Sequence, residues 1–144
     1  MKISKLVGMH FRPPAKILLG CLKGGAPLTL VPEPTNAFDS NAIAVFVETS
    51  TLLNPEWSET ESLELLLPNV EHSIASLQTQ EAWQLGYIPK EEAAEIVHLF
   101  QNLPLPCTLA NTADGKSAAL YNLTFAGKEL DPDTSPLVDD RELD

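Results

Sequence analysis

The chain has 144 residues, of which 44% are hydrophobic and 20% are charged, and its formal net charge at pH 7 is -11. This length suits one compact domain with a substantial core and is too short for us to expect two. The uncharged apolar runs are shorter than the ~18 residues of a membrane helix, and the first residues lack the apolar segment of a signal peptide. We therefore expect a soluble, cytoplasmic protein that does not contact a membrane.

The acidic charge is unevenly distributed along the chain. Residues 1–47 contain five basic and two acidic side chains, whereas residues 48–71 contain six glutamates and no base. Residues 129–144 contain seven acids and one arginine. An acidic surface repels nucleic acid, but this distribution leaves a basic platform in the first third of the chain.

Three strands are predicted in this first third. The apolar residues of KISKLVGMHF indicate a first strand that ends before Pro13, and AKILLGCLKGG suits a short helical turn or an irregular segment. In APLTLVPEP, Leu28 and Leu30 share one face of a second strand, which ends at the prolines. The nearly continuous apolar run of AIAVFVE predicts a third strand that is buried on both faces.

Residues 48–82 are rich in Ser, Thr and Glu and are interrupted by two prolines. This composition predicts an acidic insertion that forms a loop or excursion rather than part of the core. Within it, SETESLELLL predicts a short amphipathic helix with Ser58 or Thr60 as its N-cap.

The second half of the chain contains the strongest helix signal. AWQLGYIPK predicts a strand, and KEEAAEIVHLFQNL predicts a helix with two glutamates at its positive end and one apolar stripe. PCTLANTADGKSAALYNLTFAG predicts a hairpin around ADGK, and the acidic residues 129–144 are expected to be disordered.

Together these elements predict a mainly β, or β-rich α+β, fold. Five or six short strands with one prominent helix after GYIPK are typical of a small OB-like or SH3-like barrel. We expect this barrel domain to span residues 1–128, with the acidic insertion at about 48–82 and a tail at 129–144. Cys21 and Cys107 lack both zinc-site spacing and the density of a disulfide scaffold, so we expect two small buried thiols in a reducing compartment.

Three blocks of the sequence, in this order, resemble a HIRAN domain, a module of some SWI/SNF-type DNA translocases. The blocks are LVGMHF, KGGAPLTLVPEPTNAFDSNAIAVFV and LGYIPKEEAAEI. The resemblance covers roughly residues 5–47 and 83–126, and NAFDSNAIAV followed by GYIPKE is its most specific part. It implies an OB-like barrel that captures the 3′-hydroxyl end of single-stranded DNA.

The resemblance also implies roles for individual residues. Asp39 matches the acceptor of a hydrogen bond from the 3′-hydroxyl, Phe38 and Phe11 match the rings that stack on the terminal base, and Lys90 matches a phosphate-contacting lysine. The full set of candidate nucleic-acid-binding residues is His10, Phe11, Arg12, Asn36, Phe38, Asp39, Tyr87 and Lys90.

The sequence departs from the family pattern in places that affect affinity. His10, Phe11 and Arg12 occupy the positions at which the eukaryotic domain has Arg-Tyr-Tyr, so the arginine is displaced or replaced by a mostly neutral histidine. Tyr87 lies at a position that need not be aromatic. An acidic insertion near a DNA groove would weaken binding further.

The chemistry of these residue types agrees with end recognition. An ionised carboxylate only accepts hydrogen bonds, so it distinguishes a terminal hydroxyl from an internal phosphodiester. Aromatic faces stack on any base for about 1–3 kcal/mol each, and lysine or arginine contacts phosphate. The alternative is structural: Asn36, Asp39 and Asn41 are turn formers that cap backbone amides, and the phenylalanines are core residues.

No motif for catalysis is found in the sequence. His10, Glu33 and Asp39 have ligand chemistry but no metal-site spacing. We therefore expect a binding module rather than an enzyme, with no cofactor and no metal. Its predicted partner is single-stranded DNA or a DNA 3′ end. The rival hypothesis is a protein partner, bound through the acidic insertion or the tail, with the barrel as a scaffold.

Overall fold

Six strands form one antiparallel sheet in the order β1-β6-β5-β2-β3-β4. The computed structural model describes residues 3–9, 12–99, 104–110 and 122–124. In those residues the strands are β1 Ile3–Lys5, β2 Pro27–Pro32, β3 Ile43–Glu48, β4 Ala82–Tyr87, β5 Leu105–Ala110 and β6 Asn122–Thr124. The α-helices are α1 Ala15–Cys21, α2 Thr49–Leu52, α3 Thr60–Leu66, α4 Ile74–Leu77 and α5 Lys90–Ile96. Short 3₁₀ segments extend α3 over Leu67–Val70 and α5 over Val97–Leu99.

The central strands follow the predicted burial patterns. In β2, Leu28 and Leu30 are buried, whereas Pro27, the first residue of the strand, is exposed. In β3 the consecutive residues Ile43, Ala44 and Val45 are all buried, so both faces of the strand are covered over this stretch. The alternating pattern of β2 thus correctly predicted a strand with one buried face. The nearly continuous apolar run of β3 correctly predicted a strand that is buried on both faces.

The acidic insertion is not excluded from the core, so that prediction is wrong. Leu52, Leu63, Leu67 and Leu77 are all fully buried in the main hydrophobic cluster. The glutamates of residues 48–71 face outward instead, and all six of their side chains are exposed. The composition of this segment reflects its surface, whereas its spaced leucines determine how it packs.

Helix α3 forms where it was predicted, but its cap differs from the prediction. Glu59 is the N-cap residue and makes no side-chain capping hydrogen bond. Ser58 is buried and pairs with Leu22 in an isolated bridge, and Thr60 is already the first helical residue. Because Ser58 pairs with Leu22, it does not cap α3, although its sequence context favours that role.

Helix α5 begins directly after Pro89 as predicted, but it is not dominant. It has seven residues, as do α1 and α3. The segment AKILLGC, predicted as a short helical turn or an irregular stretch, forms α1. With this helical content the fold is mixed α+β, and a mainly β fold is not confirmed.

One backbone pair links the segment after β1 to the far edge of the sheet. The amide of Val7 donates to the carbonyl of Tyr87 at 2.9 Å, and the amide of Tyr87 donates to the carbonyl of Val7 at 2.8 Å. Gly86 allows this approach, because a Cβ at that position would collide with the Val7 carbonyl oxygen. A closed OB-like barrel stays a prediction.

The predicted hairpin strands β5 and β6 pair antiparallel, with Leu109 opposite Leu123. Its ADGK turn and the acidic tail at 129–144 lie outside the described residues, and the domain boundaries stay a prediction.

Cys21 and Cys107 are both buried free thiols, as expected. Burial raises the pKa of Cys107 to about 12. The pKa of Cys21 is raised mainly by burial and to a smaller extent by the negative charge of Glu59.

No helix in the described part of the chain has the length and apolar character needed to cross a membrane.

Candidate functional site

An open groove of ≈ 420 Å³ lies where the loop after β2 meets the end of β4. Its lining residues are Val7, Asn36, Phe38, Asp39, Ala42, Tyr87, Ile88 and Lys90. Five of the eight predicted site residues therefore line one surface, although they come from two separate stretches of the sequence. His10 and Phe11 lie outside the described residues.

Asn36 shapes the loop that forms one wall of the groove. Its Oδ1 accepts hydrogen bonds from the amides of Phe38 at 2.8 Å and Asp39 at 3.1 Å. Its Nδ2 donates to Oε1 of Glu33 at 2.9 Å. The turn-forming interpretation of Asn36 is confirmed, because the side chain satisfies the backbone donors of the loop.

Asp39 is partly committed to the same turn. One carboxylate oxygen, Oδ1, accepts the amide of Asn41 at 2.9 Å, so the turn-forming interpretation holds here too. Among the described residues no hydrogen bond to the other oxygen, Oδ2, is formed. The side chain is half-buried and lines the groove. A turn-forming role thus leaves one acceptor oxygen for a further donor.

Phe38 is displayed to solvent rather than packed in the core. Its side chain is 95% exposed, although phenylalanine is usually buried. The core interpretation of Phe38 is therefore wrong. The hydrogen bonds that the amides of Phe38 and Asp39 donate to Asn36 fix the backbone of the loop here, and the ring of Phe38 is left exposed.

Tyr87, at the end of β4, also lines the groove. Its hydroxyl donates to Oε1 of Glu33 at 3.0 Å. The guanidinium carbon of Arg12 lies 5.2 Å from the centroid of the Tyr87 ring, which is cation–π range. Arg12 itself lines a neighbouring cavity with His72 and Trp83, so it adds charge beside the groove rather than within it.

Glu33 supports the groove without having been predicted to, since it entered only as one of three scattered metal-ligand candidates; the lining residues Val7, Ala42 and Ile88 were not predicted either. Glu33 precedes Asn36 by three residues. A carboxylate at this spacing within a turn could have indicated a hydrogen bond between the two side chains. Its bond to Tyr87 was not visible in the sequence, because it depends on tertiary structure. In the described part of the chain, no group of three or more His, Cys, Asp or Glu side chains could hold a metal ion.

Lys90 supplies the positive charge at the rim. It is exposed and is the first residue of α5, directly after Ile88 and Pro89. The charged residues at or beside the groove are of both signs: Lys90 and Arg12 are basic, Glu33 and Asp39 are acidic, and Glu91 and Glu92 follow Lys90 in the first turn of α5.

The acidic insertion joins the sheet at the opposite end from the groove. It leaves β3 at Glu48 and returns to β4 at Ala82, and these two residues are register partners. The groove lies near the pair formed by Ala44 and Tyr87, ~14 Å along the same strands. The expectation of an acidic loop next to the groove is therefore not supported by how the insertion connects to β3 and β4.

Residues 3–103 match the family model described as the HIRAN domain. The matched range includes every lining residue of the groove. Comparisons with curated proteins and with solved structures gave no match.

Proposed function

The chain belongs to the HIRAN domain family, and we propose that it binds single-stranded DNA and captures a 3′-hydroxyl end in the groove beside Asp39. DNA binding is the function that the family implies. End recognition is our inference from the groove, and the observation that supports it best is a solvent-exposed ring next to a half-buried carboxylate.

In this proposal Phe38 is the stacking platform. A terminal base has a free face, and stacking on an aromatic ring contributes about 1–3 kcal/mol whatever the base. Covering Phe38 would also remove apolar surface from water, which an exposed ring of this size favours. Tyr87 also lines the groove and offers a second ring, a role that the family resemblance assigns to Phe11.

Asp39 supplies selectivity for the end of the strand. The carboxylate accepts a hydrogen bond from a 3′-hydroxyl, whereas a phosphate at the same point meets a like charge and offers no proton. Because Oδ1 already serves Asn41, we assign the hydroxyl to Oδ2. The loop hydrogen bonds hold this carboxylate in place before the DNA arrives.

Lys90 contacts the last phosphates, with Arg12 as a second source of positive charge. Contacts of this kind position the strand and do not read its sequence. With a net charge of -11 on the chain, we expect modest affinity that falls steeply with salt. We propose that the protein acts by binding alone, in an OB-like barrel, and catalyses no reaction.

The proposal is tested by titrating the full chain into a 5′-labelled thymidine oligonucleotide at low salt, with fluorescence anisotropy as the readout. A 3′-hydroxyl oligonucleotide should bind at least about tenfold more tightly than the same strand with a 3′-phosphate, because one hydrogen bond to a charged acceptor is at stake. Equal affinities, or no binding of either strand, would rule the proposal out.

A further inference from the structure

A second groove lies in the acidic insertion, away from the DNA groove. It has a volume of ≈ 370 Å³ and is lined by Leu53, Thr60, Glu61, Glu64 and Ile74. Leu53 and Ile74 are half-buried and form an apolar floor, while Glu61 and Glu64 are exposed at the rim. We call these five residues, together with Leu65, the insertion face.

Leu65 makes this face apolar as well as acidic. Its side chain is 77% exposed, and the neighbouring Leu66 is 41% exposed. Leu65 follows Glu61 by four residues, so the two side chains are neighbours on the surface of α3. Exposed leucines beside a groove are typical of an interaction site.

The charge around the insertion face is uncompensated in the sequence. Between Lys23 and Lys90 the chain contains no lysine or arginine, and the six glutamates of residues 48–71 are all exposed. The amino group of Lys23 donates to the carbonyl of Pro55 at 2.8 Å, so this neighbouring cation is bound to backbone oxygen. A cationic occupant therefore matches this surface, and a nucleic acid does not.

We propose that the insertion face binds a segment of a partner protein that is rich in lysine or arginine and carries apolar side chains. The aliphatic stem of a basic side chain packs on Leu53 and Ile74 while its charged head reaches Glu61 and Glu64. Apolar side chains of the same segment cover Leu65. A second copy of this chain fits less well, because Lys5 in β1 and Lys16 in α1 are single charges on different elements.

This binding surface is separate from the DNA groove. The insertion and the groove join the β3–β4 pair at opposite ends, so one site can be filled while the other is occupied. The proposal therefore does not depend on the proposed DNA function, and failure of either leaves the other standing.

The test uses the full chain and two short fluorescein-labelled peptides, one of lysine and leucine and one in which glycine replaces each leucine. The lysine–leucine peptide should bind about tenfold more tightly, and Leu65→Ser should remove that preference. Glu61→Gln should weaken the binding of both peptides. Glu95→Gln, an exposed acid on α5, is the matched control and should change either affinity by less than about twofold.

Several results would overturn the proposal. Equal binding of the two peptides, or an unchanged preference in Leu65→Ser, would show that general charge attraction is responsible. A peptide affinity that falls in Phe38→Ala would locate the peptide in the other groove. Sedimentation velocity that shows self-association, abolished by Leu65→Ser, would assign the insertion face to a second copy of the chain.

Discussion

The hydroxyl of Tyr87 donates a 3.0 Å hydrogen bond to Oε1 of Glu33, and the same oxygen accepts a 2.9 Å bond from Nδ2 of Asn36. One carboxylate thus joins the end of β4 to the loop after β2. The loop that presents Phe38 and Asp39 is held against the strand by this contact. Glu33 therefore acts as a positioning residue for the groove.

Tyr87→Phe removes this hydroxyl and keeps the ring. We expect the free energy of unfolding to fall by about 1 kcal/mol, because a half-buried hydrogen bond to a carboxylate is lost. Affinity for single-stranded DNA should fall as well, by no more than about 1 kcal/mol, because the loop that presents Phe38 and Asp39 loses this contact with β4 while the ring of Tyr87 remains. Urea titration followed by tryptophan fluorescence measures the first effect, and unchanged stability would show that the bond to Glu33 contributes nothing.

Phe38→Ala tests the stacking platform. We expect binding of single-stranded DNA to weaken by about 1–3 kcal/mol. Stability should change by no more than about 0.5 kcal/mol, because the ring is 95% exposed. Leu65→Ala, which truncates an exposed apolar side chain outside the groove, is the matched control in the same anisotropy assay. An affinity loss that is equal in the two variants would contradict a specific role for Phe38.

Lys90→Gln tests the phosphate contact through the salt dependence of binding. Removing one phosphate contact should lower the affinity for every oligonucleotide equally and reduce the slope of log K against log salt by about 0.7. Lys16→Gln, on the exposed side of α1, should leave the slope unchanged. A slope that responds equally to both substitutions would indicate nonspecific attraction.

Gly86→Ala tests the link between Val7 and β4. A Cβ would meet the backbone oxygen of Val7, so the strands must separate, and we expect a stability loss of about 1–3 kcal/mol or more. Gly20→Ala is the control, since no described atom beyond its chain neighbours and the backbone of α1 lies within 4 Å of its added Cβ, and α1 should gain about 0.5–1 kcal/mol. Thermal unfolding of the two variants should therefore shift in opposite directions.

The sequence predicted those strands whose side chains report on the core directly. In β2 the alternation of Leu28 and Leu30 matches the buried face, and in β3 the continuous apolar run matches burial on both faces. The contribution of the insertion to the core was not predicted, because its abundant glutamates lie on the solvent side and its buried leucines are spaced irregularly. Glutamate-rich composition and a place in the core are compatible when the two belong to different faces.

The groove was partly predictable for a similar reason. Phe38 and Asp39 lie in a contiguous block whose resemblance to the family supplied their assignment, and Lys90 lies within a second such block. The role of Glu33 depends on a contact with Tyr87, 54 residues away, which no local pattern reveals. The exposure of Phe38 likewise follows from the turn built by Asn36.

The most direct measurement compares the affinities for 3′-hydroxyl and 3′-phosphate oligonucleotides in the original chain and in Asp39→Asn. Asparagine can still accept the amide of Asn41, so the loop is retained while the charge is removed. We predict a preference of about tenfold for the hydroxyl that falls towards one in Asp39→Asn, and that persists in Glu91→Gln, an acid at the start of α5 that does not line the groove. A preference that survives in Asp39→Asn would contradict recognition of the strand end by this carboxylate.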